Sequence, residues 1–468
     1  MNKKCMRIIA LSCLIIILLS CSSALQLSKT VQDQSVDILR YEVDEAFVGI
    51  LKHNIQIINP TFSTVTGELL VPLIRNETGR NYVILCNISS SAGKPVILYD
   101  NSENMYASWD NIIIHGKQTF TVELSYYVFS LNIRYLIDPS LIGEYDKNSD
   151  LYEKYTQPEK LIQSTHPDIV AVAQNITSDM NNTHEKVSKI YNFVITHLRY
   201  ATQEEEKGAL WALKNGVGDC SEYSYLFVAL CRAAGIPARI QAGFAFHYDN
   251  EALNNGHMWA EYYIENYGWV PVDATWRLFD TMDYRHFSSI QSIPELTPYT
   301  NYILNSTKVF TLENEQNIKL EKSSPNIFGE ASSFIESADI AIEKINQAKF
   351  TLFIAKIFGA TLIFSSEATN TEQTLLKSKI SLQNAIDLWR TFPQIAETKV
   401  AEALKNAAET SQSAWMLIAE TFILLISILV TIMIGALVFM KRRYRQLLSS
   451  SSLKWQHKPY SNTFINLI

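Results

Sequence analysis

The chain has 468 residues, 47% of them hydrophobic, enough to fill two or three packed cores rather than one. With 40 basic and 47 acidic side chains its formal charge is −7. Such a balance provides no large electropositive surface, so nucleic acid is left out of the expected partners.

The chain opens on a short basic start (Lys3, Lys4, Arg7), an apolar run from Ile8 to Leu19 and the small-residue stretch Ser20 to Ala24. This is the order of a secretory signal peptide over 1–24, with cleavage after Ala24; the alternative is a lipoprotein signal acylated at Cys21, whose box Leu19 fits poorly. Residues 25–140 carry strand-like runs such as Ile55–Ile58, Glu68–Val71 and Thr119–Leu124, punctuated by Asn, Gly, Pro and Ser, and predict a β-sandwich. A polar connector, 141–182, is broken at Pro158 and Pro167.

From 183 to 310 the pattern predicts an α+β domain. Val187, Ile190, Val194 and Leu198 have helical spacing, with Thr183 as the expected N-cap. An apolar helix from Tyr223 to Ala234 ends at Gly235 and Pro237. Strands are expected at 238–245, 257–264 and 269–273. Residues 311–414 predict a helical membrane-proximal stalk, with helices at 338–349 and 375–389.

Trp415–Phe439 is long enough to cross a hydrocarbon core of roughly 30 Å. The cluster Lys441-Arg442-Arg443-Tyr444-Arg445 follows it, so the positive-inside rule puts 441–468 in the cytoplasm and 25–414 outside the cell, with a single-pass anchor at 415–440. Sequons at Asn76, Asn87, Asn175, Asn181 and Asn305 permit glycosylation without demonstrating it. Cleavage after Ala24 leaves Cys86, Cys220 and Cys231, an odd number. If Cys220 and Cys231 share a helix they lie roughly 16 Å apart, beyond disulfide reach. At least one thiol is therefore expected to be free.

The sharpest stretch is Gly216-Val217-Gly218-Asp219-Cys220-Ser221-Glu222-Tyr223. A glycine-rich lead delivers Cys220 to the first turn of a helix, where unpaired amides and the positive dipole end favour a thiolate nucleophile. Gly256-His257-Met258-Trp259-Ala260-Glu261 and Gly268-Trp269-Val270-Pro271-Val272-Asp273 fall on neighbouring strands. A hairpin turning near Glu265 would bring His257 and Asp273 to one face, His257 to exchange a proton with Cys220 and Asp273 to orient the imidazole. Cys231 reads as core, and His53 and His247 as strand or surface residues. Asp219 and Glu222 read as solvated acids, and Trp259, Trp269 and Trp276 as packing.

These boxes, with Arg232-Ala233-Ala234-Gly235-Ile236-Pro237-Ala238-Arg239, resemble the transglutaminase-like superfamily, a branch of the papain-like cysteine enzymes, over about residues 183–276. The wider arrangement is similar to membrane-anchored microbial surface proteins that bear this domain. The resemblance implies Cys220 as nucleophile, His257 as general base and acid and Asp273 as orienting acid. An oxyanion would be held by the Cys220 amide, with Trp211 or Tyr200 as further donors.

The implied activity is amide chemistry through a thioester, resolved by water (peptidase or amidase) or by an amine (acyl transfer and cross-linking), on a protein, peptide or cell-envelope substrate. Hydrolysis is slightly favoured because no calcium-regulated machinery is visible. The alternatives are a non-catalytic surface-binding module that keeps the fold, and a receptor signalling through the tail. No cofactor or metal is expected: dinucleotide and phosphate loops, Cys-x-x-Cys, His-Glu-x-x-His and acidic calcium loops are all missing from the sequence.

Overall fold

Two long strands organise the N-terminal half. In β1 (Tyr41–Ile58), Leu51, His53, Ile55 and Ile57 point into the core while Lys52 and Gln56 face solvent, the period-2 alternation of a half-buried strand. The strands β2 (Val65–Pro72), β3 (Asn81–Ser90), β4 (Val96–Tyr99), β5 (Met105–Ile114) and β6 (Thr119–Tyr135) follow. β1 runs antiparallel to β6, with Leu51 opposite Tyr126 and Ile55 opposite Val122, and β3 lies against the other edge of β6. β2 and β5 belong to a second, four-stranded sheet. Leu51 and Ile55 from one sheet and Leu69, Trp109 and Ile112 from the other share one core, so the strand-rich region is a sandwich. The computed structural model describes residues 38–77, 79–292, 301–304 and 313–453. The signal segment, the Asn305 sequon and the tail beyond 453 lie outside the described residues.

The α+β core has a five-stranded sheet in the order Leu278–Phe279, Gly268–Asp273, His257–Ile264, Ala238–Ala245 and His286–Gln291. Against it packs the helix Cys220–Ala233, buried on all faces from Ser221 to Arg232 as expected of a core helix with no polar stripe. The helix Thr183–His197 buries Val187, Ile190 and Val194; its N-cap is Asn182 rather than Thr183, because the Asn182 side chain reaches the Glu185 amide. Residues 141–182, expected as a connector, contain the helices Asp150–Thr156 and Pro167–Thr177. Ile162, Ile169 and Ala173 from this stretch are buried in the same core.

A second departure concerns Glu313–Lys322, expected within the helical stalk. It is a strand on the free edge of β1, with Leu51 opposite Leu320 and His53 opposite Ile318. Its Glu, Asn and Lys content disfavours a strand locally, but burial of Ile318 and Leu320 in the sandwich core overrides that preference. The sandwich and the α+β sheet are also stitched together. Asn81 donates to the His286 carbonyl at 3.0 Å, the Arg75 amide to the Ser288 carbonyl at 2.9 Å, and the Tyr135 hydroxyl to the Trp269 carbonyl at 2.9 Å.

Helices span Ser332–Ile357, Ser365–Leu388 and Pro393–Leu453. The chain divides into two compact units, one of residues up to 346 together with 376–405, the other of 347–375 and 406 onward. In the first, Asp387 receives the Tyr41 hydroxyl at 2.8 Å and pairs with Arg40, while Phe334 stacks on Trp389 with ring centres 4.6 Å apart. In the second, Ala355, Ala360, Ala368, Leu417 and Ile418 form a small apolar cluster. The last helix contains one stretch long and apolar enough to cross a membrane, and none of its apolar window is buried.

Candidate active site

Cys220 is the first residue of its helix, and the local sequence explains why it starts there. Asp219 caps the helix by accepting from the Ser221 amide at 3.1 Å, and Glu222 returns a carboxylate to the Asp219 amide at 3.2 Å. This is a reciprocal capping box. Glu222 is fully buried and also receives the Lys207 amide at 2.8 Å, while Asp219 receives the Gln203 amide at 3.0 Å. The expectation of two solvated acids is thereby corrected, since both hold the cysteine turn and its preceding loop. Gly218 has to be glycine for the same reason: a Cβ there would sit 2.3 Å from Glu222 Cβ.

His257 and Asp273 meet across the hairpin formed by His257–Ile264 and Gly268–Asp273, in which Ala260 lies opposite Val272. His257 Nε2 is 2.6 Å from Asp273 Oδ2. The Cys220 thiol interacts with the same ring, which leaves Nδ1 for the sulfur. Asp273 is completely buried and accepts four hydrogen bonds, from the Thr275 and Trp276 amides at 2.8 and 2.9 Å, from His257, and from His286 Nε2 at 3.3 Å. Burial alone would raise its carboxyl, but His257, then His286, hold it far below the usual range. Burial likewise opposes a charge on His257, yet Asp273 and then Cys220 outweigh it and push the ring up to about 9.

These directions set a pH window for stability. His257 titrates higher in the folded protein than its ordinary 6.5, so its contribution is whole below pH 6.5 and is lost as the pH rises through about 9. Asp273 titrates below its ordinary 3.8, so its contribution is present above that value and declines below it. Thermal melts of the full chain against pH are expected to show a plateau between these limits. The alkaline decline should vanish in His257→Gln; an unchanged decline in that variant would assign it to other groups.

The remaining residues sort as follows. His286 carries no motif and is fully buried between Asp273 and Asp283. Trp276 lies over the array, with ring centres 5.2 Å from His257 and 4.9 Å from His286, while Trp259 is buried against both. Tyr200 is half-exposed and interacts electrostatically with Cys220, and neither Tyr200 nor Trp211 is among the residues lining the cleft. Cys86, Cys220 and Cys231 are free thiols, exposed, half-buried and buried respectively. His247 is exposed, but His53 is a buried strand residue, lowered to about 4 by burial and hence neutral. Arg232 and Arg239 are structural. Arg232 binds the Ala238 and Gln157 carbonyls and Glu159, and Arg239 binds Glu261 while lying 3.8 Å from the Trp269 ring centre. Among the described residues, His257, Asp273 and His286 offer three donor atoms within 4.8 Å of one another to a cation. The saturated Asp273 carboxylate marks this grouping as a hydrogen-bonded array.

The Cys220 side of this array opens into a cleft of about 950 Å³. Its far wall comes from the sandwich, through His53, Asn54 and Gln56 of β1 and Glu315, Gln316 and Asn317 of the adjoining strand. Glu204, Glu205, Glu206, Asp219 and Glu315 line it, with no lysine or arginine among the described lining residues. A thiol, a basic ring, a buried orienting carboxylate and a groove are together what nucleophilic attack on a carbonyl requires.

Residues 170–274 match the family model described as the transglutaminase-like superfamily. The uncharacterized protein YebA of Bacillus subtilis is 27% identical over 148 residues, covering 28% of this chain and 20% of that protein. A protein-glutamine gamma-glutamyltransferase of Pseudomonas aeruginosa is 37% identical over 68 residues, 13% of this chain and 10% of that enzyme. The chain thus spans a fifth or less of the length of these two relatives. Among solved structures, a candidate cysteine protease of Cytophaga hutchinsonii is similar at 18% identity and TM-score 0.44, over 60% of this chain and all of that one. The periplasmic domain of TgpA from Pseudomonas aeruginosa is similar at 20% identity and TM-score 0.26, over 48% of this chain and 90% of that one.

Proposed function

We propose that the chain, whose residues 170–274 match the transglutaminase-like superfamily model, performs thiol-dependent amide chemistry through Cys220, His257 and Asp273. The observation that carries this reading is the array itself, with His257 bound through Nε2 to a buried carboxylate 2.6 Å away and its other nitrogen left to the sulfur. His257 and Cys220 share a proton as an imidazolium–thiolate pair. The thiolate adds to an amide carbonyl, and the oxyanion is held by the Cys220 amide with Tyr200 beside it. Nδ1–H protonates the leaving amine, and a thioester remains. Water or a second amine then takes the acyl group, giving hydrolysis or transfer.

The substrate is a protein, peptide or cell-envelope amide. The acid-rich lining of the cleft favours neutral or ammonium-bearing segments over carboxylate-rich ones. The apolar stretch of the last helix anchors the chain, with the catalytic unit outside the cell and the residues after it in the cytoplasm.

The three thiols among the described residues provide the test. Exposure alone ranks Cys86 above Cys220, whereas an ion pair with His257 reverses the order. Brief treatment of the full chain with iodoacetamide near pH 6.5, read by peptide mass spectrometry, is expected to alkylate Cys220 at least about tenfold faster than Cys86. That preference should disappear in His257→Gln. A parent protein whose thiols react in order of exposure would overturn the reading.

A further inference from the structure

His286 lies outside every sequence box, yet its ring is within hydrogen-bond distance of Asp273. Its strand, His286–Gln291, pairs with Ala238–Ala245 on the side away from Gly268–Asp273, so the contact is made around the sheet rather than along a hairpin. Nε2 is 3.3 Å from Asp273 Oδ2, the oxygen that His257 also uses, and Nδ1 is 2.8 Å from Asp283 Oδ1. The ring is wholly buried, edge-on to Trp259 and Trp276 at 5.2 and 4.9 Å, which fixes its rotation.

Ionised carboxylates only accept hydrogen bonds, so a ring nitrogen facing one carries a proton; a neutral imidazole has one such proton and this ring faces two carboxylates. We propose that His286 is a positioning residue, a buried, doubly protonated imidazole clamped between Asp283 and Asp273 that shares the Asp273 carboxylate with His257 and thereby sets how tightly His257 holds its proton. The inference rests on the assignment of Cys220, His257 and Asp273 made above.

The neighbouring charges fit a cation here. Asp283 and Asp273 flank the ring, and His257 lies 5.9 Å away between ring centres. Arg80, which donates to the His286 carbonyl at 3.3 Å, is paired with Glu77 and so adds little net charge. Arg285, next in sequence, turns away to Asp249 at 3.2 Å. Burial opposes charge on His286, but the hydrogen bonds to Asp273 and Asp283 drive its titration upward, and the Asp283 carboxyl is correspondingly lowered.

The consequence for catalysis is one of balance. Asp273 alone would stabilise the imidazolium through Nε2 so strongly that loss of the Nδ1 proton to a leaving amine is discouraged. A second cation on the same oxygen weakens that hold while keeping Asp273 ionised and Nε2 of His257 anchored. Loss of a charge about 6 Å away in a partly screened interior corresponds to a shift of about one pH unit.

The test is a pH titration of the full chain in lipid nanodiscs by 15N-histidine NMR, with the nine histidines assigned through His257→Gln and His286→Gln. The His286 ring is expected to show two protonated nitrogens at pH 7. In Asp283→Asn, which keeps the shape of the pocket, it should become singly protonated, and the His257 midpoint should rise by about one pH unit. His286→Gln should raise that midpoint similarly; if it does not fold, Asp283→Asn alone decides. A singly protonated His286 ring in the parent, or an unmoved His257 midpoint in a folded Asp283→Asn, overturns the proposal. Equal alkylation of Cys220 and Cys86 in the parent would sink the catalytic assignment instead, a result that this titration does not share.

Discussion

Cys220→Ala is expected to abolish turnover, a fall of about 10⁴-fold or more, while leaving the fold in place. Both halves of that expectation come from the helix start. The sulfur is the atom that would carry the acyl group, and no other thiol among the described residues can substitute for it, because Cys231 is buried within the core and Cys86 lies on a strand of the sandwich. The turn itself is held by Asp219 and Glu222 through backbone amides that an alanine retains, so melting should move by no more than a few degrees. Cys220→Ser sharpens the result, since a hydroxyl keeps the shape but does not ionise to pair with His257. Amine or ammonia release from glutamine-containing peptides, alongside peptide cleavage by mass spectrometry, reads both resolutions of the thioester. Turnover surviving in Cys220→Ala would remove the cysteine from the chemistry.

The parts of the site that were legible in the sequence are those built from contiguous boxes. Gly216 to Tyr223 announced a cysteine at a helix start, and the two strand boxes announced a hairpin whose diagonal joins His257 to Asp273; both features are present in the structure. The capping role of Glu222 was also within reach, because Asp219-x-x-Glu222 ahead of an apolar run is the spacing of a capping box. His286 was not. It reaches Asp273 from a strand three places away across the sheet, and nothing in Tyr284-Arg285-His286-Phe287 signals that proximity. Glu313–Lys322 misled for a related reason, since its polar composition suits a helix and only the partner strand β1 makes Ile318 and Leu320 worth burying. The result is functional as well as architectural, because that strand and β1 form one wall of the cleft. The sandwich, which reads in the sequence as a separate module, is thus part of the cleft that holds Cys220.

Asp273→Asn is the second large effect, a fall of roughly 10³- to 10⁴-fold in turnover with the binding surface left intact. Asp273 accepts four N–H donors, two from the backbone and two from imidazoles. An asparagine has one oxygen, and if it stays with the fixed Thr275 and Trp276 amides its NH₂ must face both rings. His257 then answers with an unprotonated Nε2 and carries its proton on Nδ1, toward the sulfur. A neutral ring of that tautomer cannot take the thiol proton, so the nucleophile is lost although every residue of the cleft remains in place. The signature is a drop in kcat with KM little changed, together with loss of the preferential alkylation of Cys220. Turnover within tenfold of the parent would mean that Asp273 holds the hairpin together without directing the proton.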